Sequence, residues 1–494
     1  MAEVKDITKM CRDGKVQEAY ELAKKDLSAN PDYPWLQRSL GWALYYLIKG
    51  DADKGDYAKL VEHIDELKSL DQLTLDNDSM IFDNVQFQIA NYIKNRVFLT
   101  DLEAPSKLSE FFRQLKDYAF KPSRGHSFLL QTYIKFENWP EMADFLDWWN
   151  LDNLTPDDYK PFVNQKGQKM MTLAERAFIA NSKALLRLND TGRIEEFLPK
   201  MDTLMNKHEE MMYPGYFYGK LLLKLGSNVD EALKVIIPFA RKKQTEFWVW
   251  QLLSDVFTND EEKQLACLLR AVHCHTQESF LGKVRIKLAT LYIKRRQFNS
   301  ARYHIDAITR CYATQGWRLP YEIECWIHQP WFNSTTADGN DQIDYMSITD
   351  AILCDGAEEC IAVVTYVDQN SHKSSMIYGY EKRVVQKIRF KVQAGNILKL
   401  HYITDKDGKM RVLSSTKVQL PSNLNYAKNV EGTIDKRDDK EFAFLKAGSV
   451  RCFVAPAIVI KYNLKNGDNI RSLIVYDYDK KKESWNWVCV NIKK

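Results

Sequence analysis

The sequence lacks the short motifs that most nucleotide-dependent and hydrolytic enzymes carry. It contains no GxxxxGK(S/T) phosphate loop, no GxGxxG after a predicted strand, no HExxH and no GxSxG. Each of these motifs places specific groups around a phosphate, a metal ion or a nucleophile. We therefore expect a protein that is not an enzyme and that needs no cofactor.

Long apolar runs and paired cysteines are also missing. No segment approaches the roughly 18 consecutive apolar residues of a membrane helix, and the polar N-terminus has no signal-peptide core. The nine cysteines are odd in number and scattered, without a CxxC pair. These absences argue against a disulfide framework and predict a cytoplasmic protein that does not associate with membranes.

The densest group of metal-ligating side chains is Cys267, His273, Cys274 and His275. Cys267 and Cys274 are seven residues apart and share one face of a predicted helix, whereas the two histidines do not share a face with each other. A zinc site usually needs about four converging ligands. We interpret these cysteines as buried residues of a helical repeat and predict no metal site.

Charge is distributed unevenly along the chain. The part from Tyr345 onward has 25 Lys and Arg against 17 Asp and Glu, whereas the preceding part has 45 against 49. A basic segment on a mildly acidic body favours a polyanionic ligand. Random fluctuation over a segment of this length is the alternative explanation.

Residues 1–331 are predicted to form successive helices, because apolar residues recur at spacings of three and four and strand-like alternation is nearly absent. Small residues lie at a nearly constant interval, since Ala232, Ala266 and Ala301 are 34 and 35 residues apart. The pattern resembles the tetratricopeptide repeat, in which small residues let the two helices of each repeat approach closely.

This resemblance is strong over 213–313, fair over 1–50 and weak over 51–212, where another type of α-solenoid is the alternative. It implies a curved superhelix in which each repeat buries its apolar face against its neighbours. The concave side is then a groove for a protein or peptide, and the residues do not identify that partner. A spacer or a self-association surface is the alternative role.

Residues 332–350 are predicted to be a linker. The segment 333–342 reads NSTTADGNDQ, a composition that is typical of loops. Trp317, Trp326 and Trp331 come just before it, and two prolines interrupt the helix there. We interpret the tryptophans as packing for the end of the solenoid or as contacts between the two halves, with exposed stacking as the alternative.

Beyond the linker, β-branched and aromatic segments such as VVQKIRFKV (384–392) replace the helical periodicity. The stretch AGNILKL at 394–400 has a counterpart, NGDNIRS, at 466–472. The offset of about 72 residues is close to the size of a five-stranded OB barrel. We predict two tandem OB-like barrels over 351–420 and 425–494, so the fold class is multidomain α plus β.

The predicted second barrel resembles the cold-shock domain. KEFAFL (440–445) stands where that family has KGFGFI, its first ribonucleoprotein motif, and CFVAP (452–456) stands where the family has VFVH. The resemblance implies a platform of exposed rings on neighbouring strands, Phe442, Phe444 and Phe453, on which unpaired bases stack. Phosphate contacts are expected from Lys440 and Arg451. The implied ligand is single-stranded RNA or DNA.

The second barrel also departs from the cold-shock pattern. Ala455 replaces the histidine of the family, Glu441 replaces a glycine, and Asp435, Asp438 and Asp439 place acid beside the rings. These changes are expected to weaken binding or to shift it to another surface. The alternative is that the phenylalanines pack inward or against the first barrel.

The predicted first barrel carries a similar trio of rings in a more basic setting. Tyr378 and Tyr380 occupy the places of Phe442 and Phe444, and Phe390 occupies the place of Phe453. The basic side chains expected to contact phosphates are Lys382, Arg383 and Arg389. On charge, this barrel is the better candidate for nucleic-acid binding.

Together these features predict an adaptor whose solenoid holds a protein partner and whose barrels bind single-stranded nucleic acid. A pure protein-interaction scaffold whose barrels no longer bind nucleic acid is the alternative, and an accessory subunit of an enzyme encoded elsewhere is a third. The architecture resembles proteins of prokaryotic conflict (antiphage defence) systems, including TOTE systems. That resemblance implies a bacterial protein that handles invader nucleic acid. The sequence makes no prediction of oligomeric state.

Overall fold

The structure is a computed structural model that describes residues 3–226, 228–340, 343–388, 390–405, 407–479 and 483–493. It confirms the predicted fold class, because an α-helical region is followed by small β domains. The chain divides into two compact units, one over 1–239 and one over 240–494.

The first unit is an array of helices around one apolar core, which extends from Ile7 to Leu222. Its helices are α1 (Val4–Arg12), α2 (Val16–Ala29), α3 (Pro34–Lys54), α4 (Tyr57–Lys68), α5 (Leu75–Arg96), α6 (Ala104–Leu115), α7 (Arg124–Tyr133), α8 (Met142–Trp149), α9 (Leu173–Leu188), α10 (Thr191–Lys207), α11 (Pro214–Lys224) and α12 (Val229–Lys243). A short hairpin of β1 (Phe162–Val163) and β2 (Lys169–Met170) lies between α8 and α9.

Local polar chemistry and small residues explain the helices that end this unit. The side chains of Thr172 and Asp190 accept backbone N–H groups in the first turns of α9 and α10 and so cap them. A Cβ added to Gly219 would come within 2.5 Å of Ile236 Cγ1, so this glycine permits the close approach of α11 to α12. Ala232, one of the regularly spaced small residues, is completely buried.

The second unit begins with two helical hairpins. Ala266 and Ala301, the other two regularly spaced alanines, lie in the second helix of each hairpin and are completely buried. The helices are α13 (Phe247–Val256), α14 (Glu261–Val272), α15 (Gly282–Lys294), α16 (Phe298–Gln315), α17 (Tyr321–Ile327), α18 (Pro330–Ser334) and α19 (Tyr345–Cys354). In the described ranges, no helix has both the length and the apolar character required to cross a membrane.

Helix α19 occupies part of the segment that was predicted to be a linker. Its N-terminus is capped by Asp344, whose side chain accepts the Ser347 N–H at 3.1 Å. The Tyr345 ring stacks on His273, the residue that follows α14, at 4.8 Å, and an ion pair of 3.6 Å joins Arg270 of α14 to Asp350. The end of the 332–350 segment is therefore a packed helix.

The three tryptophans near the junction have different environments. Trp326 and Trp331 pack against a small core that closes the last hairpin, and the Trp331 ring stacks on Phe298 at 4.9 Å. Trp317 remains 47% exposed and meets Tyr312 edge to face. Two of the three therefore pack the end of the helical array.

The first β domain consists of five antiparallel strands in the order β5-β4-β3-β6-β7. The strands are β3 (Glu358–Val367), β4 (Lys373–Gly379), β5 (Lys382–Lys387), β6 (Ile397–Thr404) and β7 (Met410–Lys417). The described strands form an open sheet, whereas the sequence predicted a barrel.

A side chain joins the two edges of this open sheet. Gln386 of β5 donates from Nε2 to the Met410 carbonyl at 2.6 Å and accepts the Val412 N–H through Oε1 at 3.0 Å. The carboxamide thus pairs with the two β7 backbone groups that a strand pairing of β5 with β7 would satisfy in a closed barrel. The barrel closure that the sequence predicted is made here by one side chain, not by a strand pairing.

The second barrel is closed, with the order β10-β12-β11-β8-β9. Its strands are β8 (Ala427–Asp435), β9 (Ala443–Ala447), β10 (Val450–Val454), β11 (Asn469–Asp479) and β12 (Ser484–Lys493), and α20 (Pro456–Tyr462) connects β10 to β11. The parallel contact between β10 and β12 pairs Phe453 with Val488. Five strands in this order form the OB topology, and the first domain has the same order without the parallel contact.

The two β domains share a hydrophobic core. Val363 and Ile377, neighbours on β3 and β4, pack with Leu473 and Val475 of β11. The Tyr426 hydroxyl donates to the Ile361 carbonyl at 2.8 Å. One face of the β3–β4 pair is therefore buried against the second barrel.

We predict that Gln386→Ala loosens the first β domain. Loss of the carboxamide leaves two backbone groups of β7 without a partner, which costs about 1–3 kcal/mol in local stability. Hydrogen exchange of the full chain should therefore accelerate in β5 and β7. The control is Lys387→Ala, which removes an exposed side chain. Equal exchange in both variants would show that Gln386 does not close the sheet.

Candidate nucleic-acid interface

Three phenylalanine rings lie together on the second barrel. Phe444 of β9 is paired with Phe453 of β10, and Phe442 immediately precedes β9. The ring centroids of Phe442 and Phe444 are 5.7 Å apart, those of Phe442 and Phe453 are 5.6 Å apart, and those of Phe444 and Phe453 are 6.1 Å apart. We call these three residues the phenylalanine platform.

The platform lies on the outer face of the barrel because the strands alternate. Ala443 and Leu445 on β9, and Cys452 and Val454 on β10, point into the core of the barrel. The three phenylalanines between and beside them are partly exposed. The interior is thus filled by their neighbours, and the rings remain accessible for stacking.

Basic side chains flank the platform, but one carboxylate holds two of them. The Arg451 guanidinium lies 3.9 Å from the centroid of the Phe444 ring. Asp435 of β8 lies 2.8 Å from Lys446 Nζ and 3.9 Å from the guanidinium of Arg451. The hydrogen bond from Lys446 lowers the pKa of Asp435, so its carboxylate is ionised at neutral pH and offsets positive charge beside the rings.

Lys440 is placed in the loop before β9 and has its own acidic neighbour. Its Nζ lies 3.3 Å from Asp439 Oδ2 on the adjacent residue. Both side chains are largely exposed, so this pair contributes little to stability and the amine can exchange partners. Lys440 can therefore bind a phosphate after giving up a weaker ion pair than the one that holds Lys446.

The rings predicted for the first β domain do not form a second platform. Tyr378 and Phe390 both pack against the core of this domain. Tyr380 lies in the turn between β4 and β5, is 50% exposed, and stacks on Tyr476 of the second barrel at 4.7 Å. A register shift after Ile377 and the turn itself separate Tyr380 from the strand face of Tyr378.

The basic residues predicted beside this trio are also dispersed. Arg383 donates from Nε to Ser375 Oγ at 2.8 Å, and its Nη1 lies 3.5 Å from Asp477 Oδ1 of the second barrel. Lys382 is exposed at the start of β5. Arg389 lies outside the described residues. Arg383 is thus used to join the two β domains.

The sequence reasoning missed a second aromatic group, on the β11–β12 hairpin. Tyr476 is paired with Trp487 and Tyr478 with Trp485, with ring centroids 5.5 and 5.6 Å apart. All four rings are partly exposed, and Lys428 Nζ lies 5.0 Å from the Trp487 ring. The period-two alternation of aromatic residues in YDYD and WNW was the available signal.

The cysteine–histidine cluster does not gather ligands for a metal ion. Across the described ranges, no group of three or more His, Cys, Asp or Glu side chains could hold one. Cys267 is completely buried, and burial raises the pKa of its thiol. Cys274 donates from Sγ to the Arg270 carbonyl at 3.4 Å. The His273 ring is stacked against Tyr345.

Two stretches of the chain match known families. Residues 428–492, nearly the whole second barrel, match the S1/CSD-like domain 2 of the TOTE conflict systems. This match confirms the predicted similarity of the barrel to cold-shock-type domains and to TOTE systems. Residues 212–351 match a domain of unknown function (DUF7017), and the tetratricopeptide assignment stays a prediction. A comparison with curated proteins finds no match.

We predict that Asp435→Asn strengthens binding to single-stranded nucleic acid. The substitution releases Lys446 and Arg451 to contact phosphates, so affinity at low salt should rise about fivefold. The slope of log affinity against log salt should steepen by about one. Fluorescence anisotropy with labelled oligonucleotides measures both quantities.

The matched control is Glu431→Gln, which makes the same charge change on β8. Glu431 is paired with Arg471 at 2.8 Å, and among the described residues no ion pair joins it to Lys446 or Arg451. A gain of affinity that is equal in both variants would reflect net charge alone. It would contradict a specific effect of Asp435 on the platform.

Proposed function

We propose that this protein is a non-enzymatic adaptor that binds single-stranded RNA or DNA through its second barrel. The observation that carries the proposal is the phenylalanine platform, three contacting rings on the outer face of an OB-type barrel. The similarity of this barrel to a domain of the TOTE conflict systems supports an accessory role in antiphage defence in the bacterial cytoplasm.

The chemistry of binding follows from the side chains around the platform. Unpaired bases expose their flat faces, and these faces can stack on Phe442, Phe444 and Phe453. Stacking contributes about 1–3 kcal/mol of binding free energy for each base. Arg451, already stacked on Phe444, adds a cation beside the ring. Lys440 can then neutralise a backbone phosphate, so binding weakens as salt rises.

We further propose that the helical region is a tetratricopeptide-type array that binds a protein partner. The complete burial of Ala232, Ala266 and Ala301 supports the repeat pattern. An exposed apolar group in the loop between α5 and α6 supports a protein ligand. Its members are Phe98 at 58%, Leu99 at 72% and Leu102 at 99% exposure, and exposed apolar groups of this kind are typical of interaction sites.

A scaffold without nucleic-acid binding is the second candidate function. Asp435 favours it, because one carboxylate lies within 4 Å of two of the basic side chains nearest the rings. In that case the platform would contact another protein. Binding measurements on the intact chain separate the two candidates.

We predict that Phe442→Ala combined with Phe444→Ala abolishes tight binding to single strands. Two stacking surfaces are lost, which costs about 1–3 kcal/mol each. The full-length protein is titrated into labelled single-stranded RNA and DNA over a salt series, and anisotropy gives the affinity. Wild-type binding that weakens with salt, together with weak binding by the variant, is the expected result.

The control for this experiment is Phe162→Ala. Phe162 is a ring with 66% exposure in the first unit, so its loss tests for general adhesion of aromatic side chains. A wild-type protein that binds no single strand at low salt, or a platform variant that binds as well as the wild type, would overturn the nucleic-acid proposal.

We predict that Leu99→Asp combined with Leu102→Asp removes the protein partner. Both side chains are exposed, so the charges leave the fold intact while they prevent apolar contact. Quantitative affinity purification from the native host compares this variant with wild type. The control is Met80→Asp, a substitution at a 64% exposed residue of α5. Unchanged recovery of all associated proteins would contradict a role for this loop.

A further inference from the structure

A cleft of about 470 Å³ lies between the first β domain and the second barrel. Its volume is in the range of about 300–1,000 Å³ that small-ligand sites occupy. Strands of the second barrel form one side. The start of β6 with the loop before it, and the end of β7 with the segment after it, form the other side. The lining residues that matter for binding are Asn396, Lys417, Gln419, Asn429, Leu473 and Asn491.

The barrel side of the cleft is a row of three residues on adjacent strands. Leu473 of β11 is paired with Asn429 of β8 and with Asn491 of β12. The register of β12 shifts at Val490, and the bulge turns Asn491 to the same face as Leu473. Asn491 Oδ1 accepts the Tyr462 hydroxyl at 2.9 Å, which fixes the carboxamide. Its NH₂ group donates to no partner among the residues that the structure describes.

The opposite side approaches closely because of a glycine. Gly395 has a φ of +91°, and a Cβ there would lie within 2.8 Å of Asn491 Cβ. The neighbouring Asn396 accepts the Gln393 N–H through Oδ1 at 3.1 Å, and its NH₂ group makes no hydrogen bond within the described part of the chain. Gln419 and Asn429 are exposed, and their carboxamides form no hydrogen bond with the described residues.

We propose that this cleft binds one unstacked nucleobase of the single strand that the phenylalanine platform holds; the inference rests on the function proposed above. A carboxamide both donates and accepts, so it can pair with the edge of a base. Four carboxamides converge here over the apolar side chain of Leu473. This combination suits a flat ligand with a polar edge.

The charges around the cleft favour a nucleic acid over a basic peptide. Among the described residues that line the cleft, Lys417 is charged and none carries a carboxylate. The ammonium of Lys417 lies 5.6 Å from the Phe390 ring, at the first-domain edge of the cleft. A phosphate attached to the bound base would find this cation beside it.

The cleft is within reach of a strand that occupies the platform. Phe453 is paired with Val488 of β12, and Asn491 lies three residues further along the same strand. From Phe453 to Asn491 the backbone path crosses to the neighbouring strand and then advances three residues, which is a distance of about 11 Å. OB-type domains contact about 4–16 nucleotides, so one single strand spans both places. The platform then supplies affinity for any base, and the cleft supplies a preference among bases.

The test compares the full-length wild type with the variant Asn429→Ala combined with Gln419→Ala. The probes are labelled homopolymers of adenine, cytosine and uracil or thymine, about 12 nucleotides long, as RNA and as DNA. We expect the wild type to prefer one base, and we expect the variant to lose about tenfold or more on that base. The salt dependence should not change, since no phosphate contact is removed.

The control is Asn370→Ala, which removes an exposed carboxamide in the turn between β3 and β4. Photocrosslinking of RNA that contains 4-thiouracil gives a readout that needs no folded variant. Crosslinks of the wild type should map to 417–420 or to Asn491. The platform variant of Phe442 and Phe444 is measured in parallel.

The outcomes separate this inference from the proposed function. If the wild type binds single strands but the cleft variant keeps the same affinity for every homopolymer, the cleft is not a base site and the platform proposal stands. Crosslinks confined to the platform strands would have the same meaning. If the wild type binds no probe, both proposals fail together.

Discussion

The apolar contact between the β3–β4 pair and β11 is the constraint on which the rest of the C-terminal region depends. Val363 and Ile377 fill one side of it, and Leu473 and Val475 fill the other. Because this contact buries one face of the first domain, that face cannot present rings to a ligand. The same contact leaves the β9–β10 face of the second barrel uncovered. It also creates a cleft where the two domains diverge near Leu473.

Two domains of the same strand order have therefore taken different roles. The second barrel closes through the parallel contact of β10 with β12, while the first domain substitutes the carboxamide of Gln386 for that contact. The strand that corresponds in order to β9 is β4, and its outward residue Ile377 is buried against the second barrel. The first domain thus packs against the second barrel. Tyr380 in the turn and Arg383 on β5 add contacts to Tyr476 and Asp477 of that barrel.

Local ion pairs hold the cations beside the platform, and the proposed nucleic-acid ligand would compete for them. Asp435 lies within reach of Lys446 and Arg451 across three adjacent strands. In water, exposed pairs of this type are worth about 0–1 kcal/mol, so a phosphate can compete for the same cations. In the function proposed above, this carboxylate would limit affinity for nucleic acid and suppress nonspecific attraction, while the stacking rings would provide selectivity for single strands.

The sequence by itself determined the fold class, the OB-type barrel at the C-terminus and the grouping of Phe442, Phe444 and Phe453, because strand alternation and one motif act over a few residues. The analogous assignment of Tyr378, Tyr380 and Phe390 did not place those rings together. A register shift and a turn separate Tyr378 from Tyr380, and spacing along the chain does not report bulges. The packed helix α19 and the inter-domain cleft were also beyond the sequence. Only the tertiary structure decided them, since they depend on which apolar faces meet across more than fifty residues of chain, and neither periodicity nor composition encodes that choice.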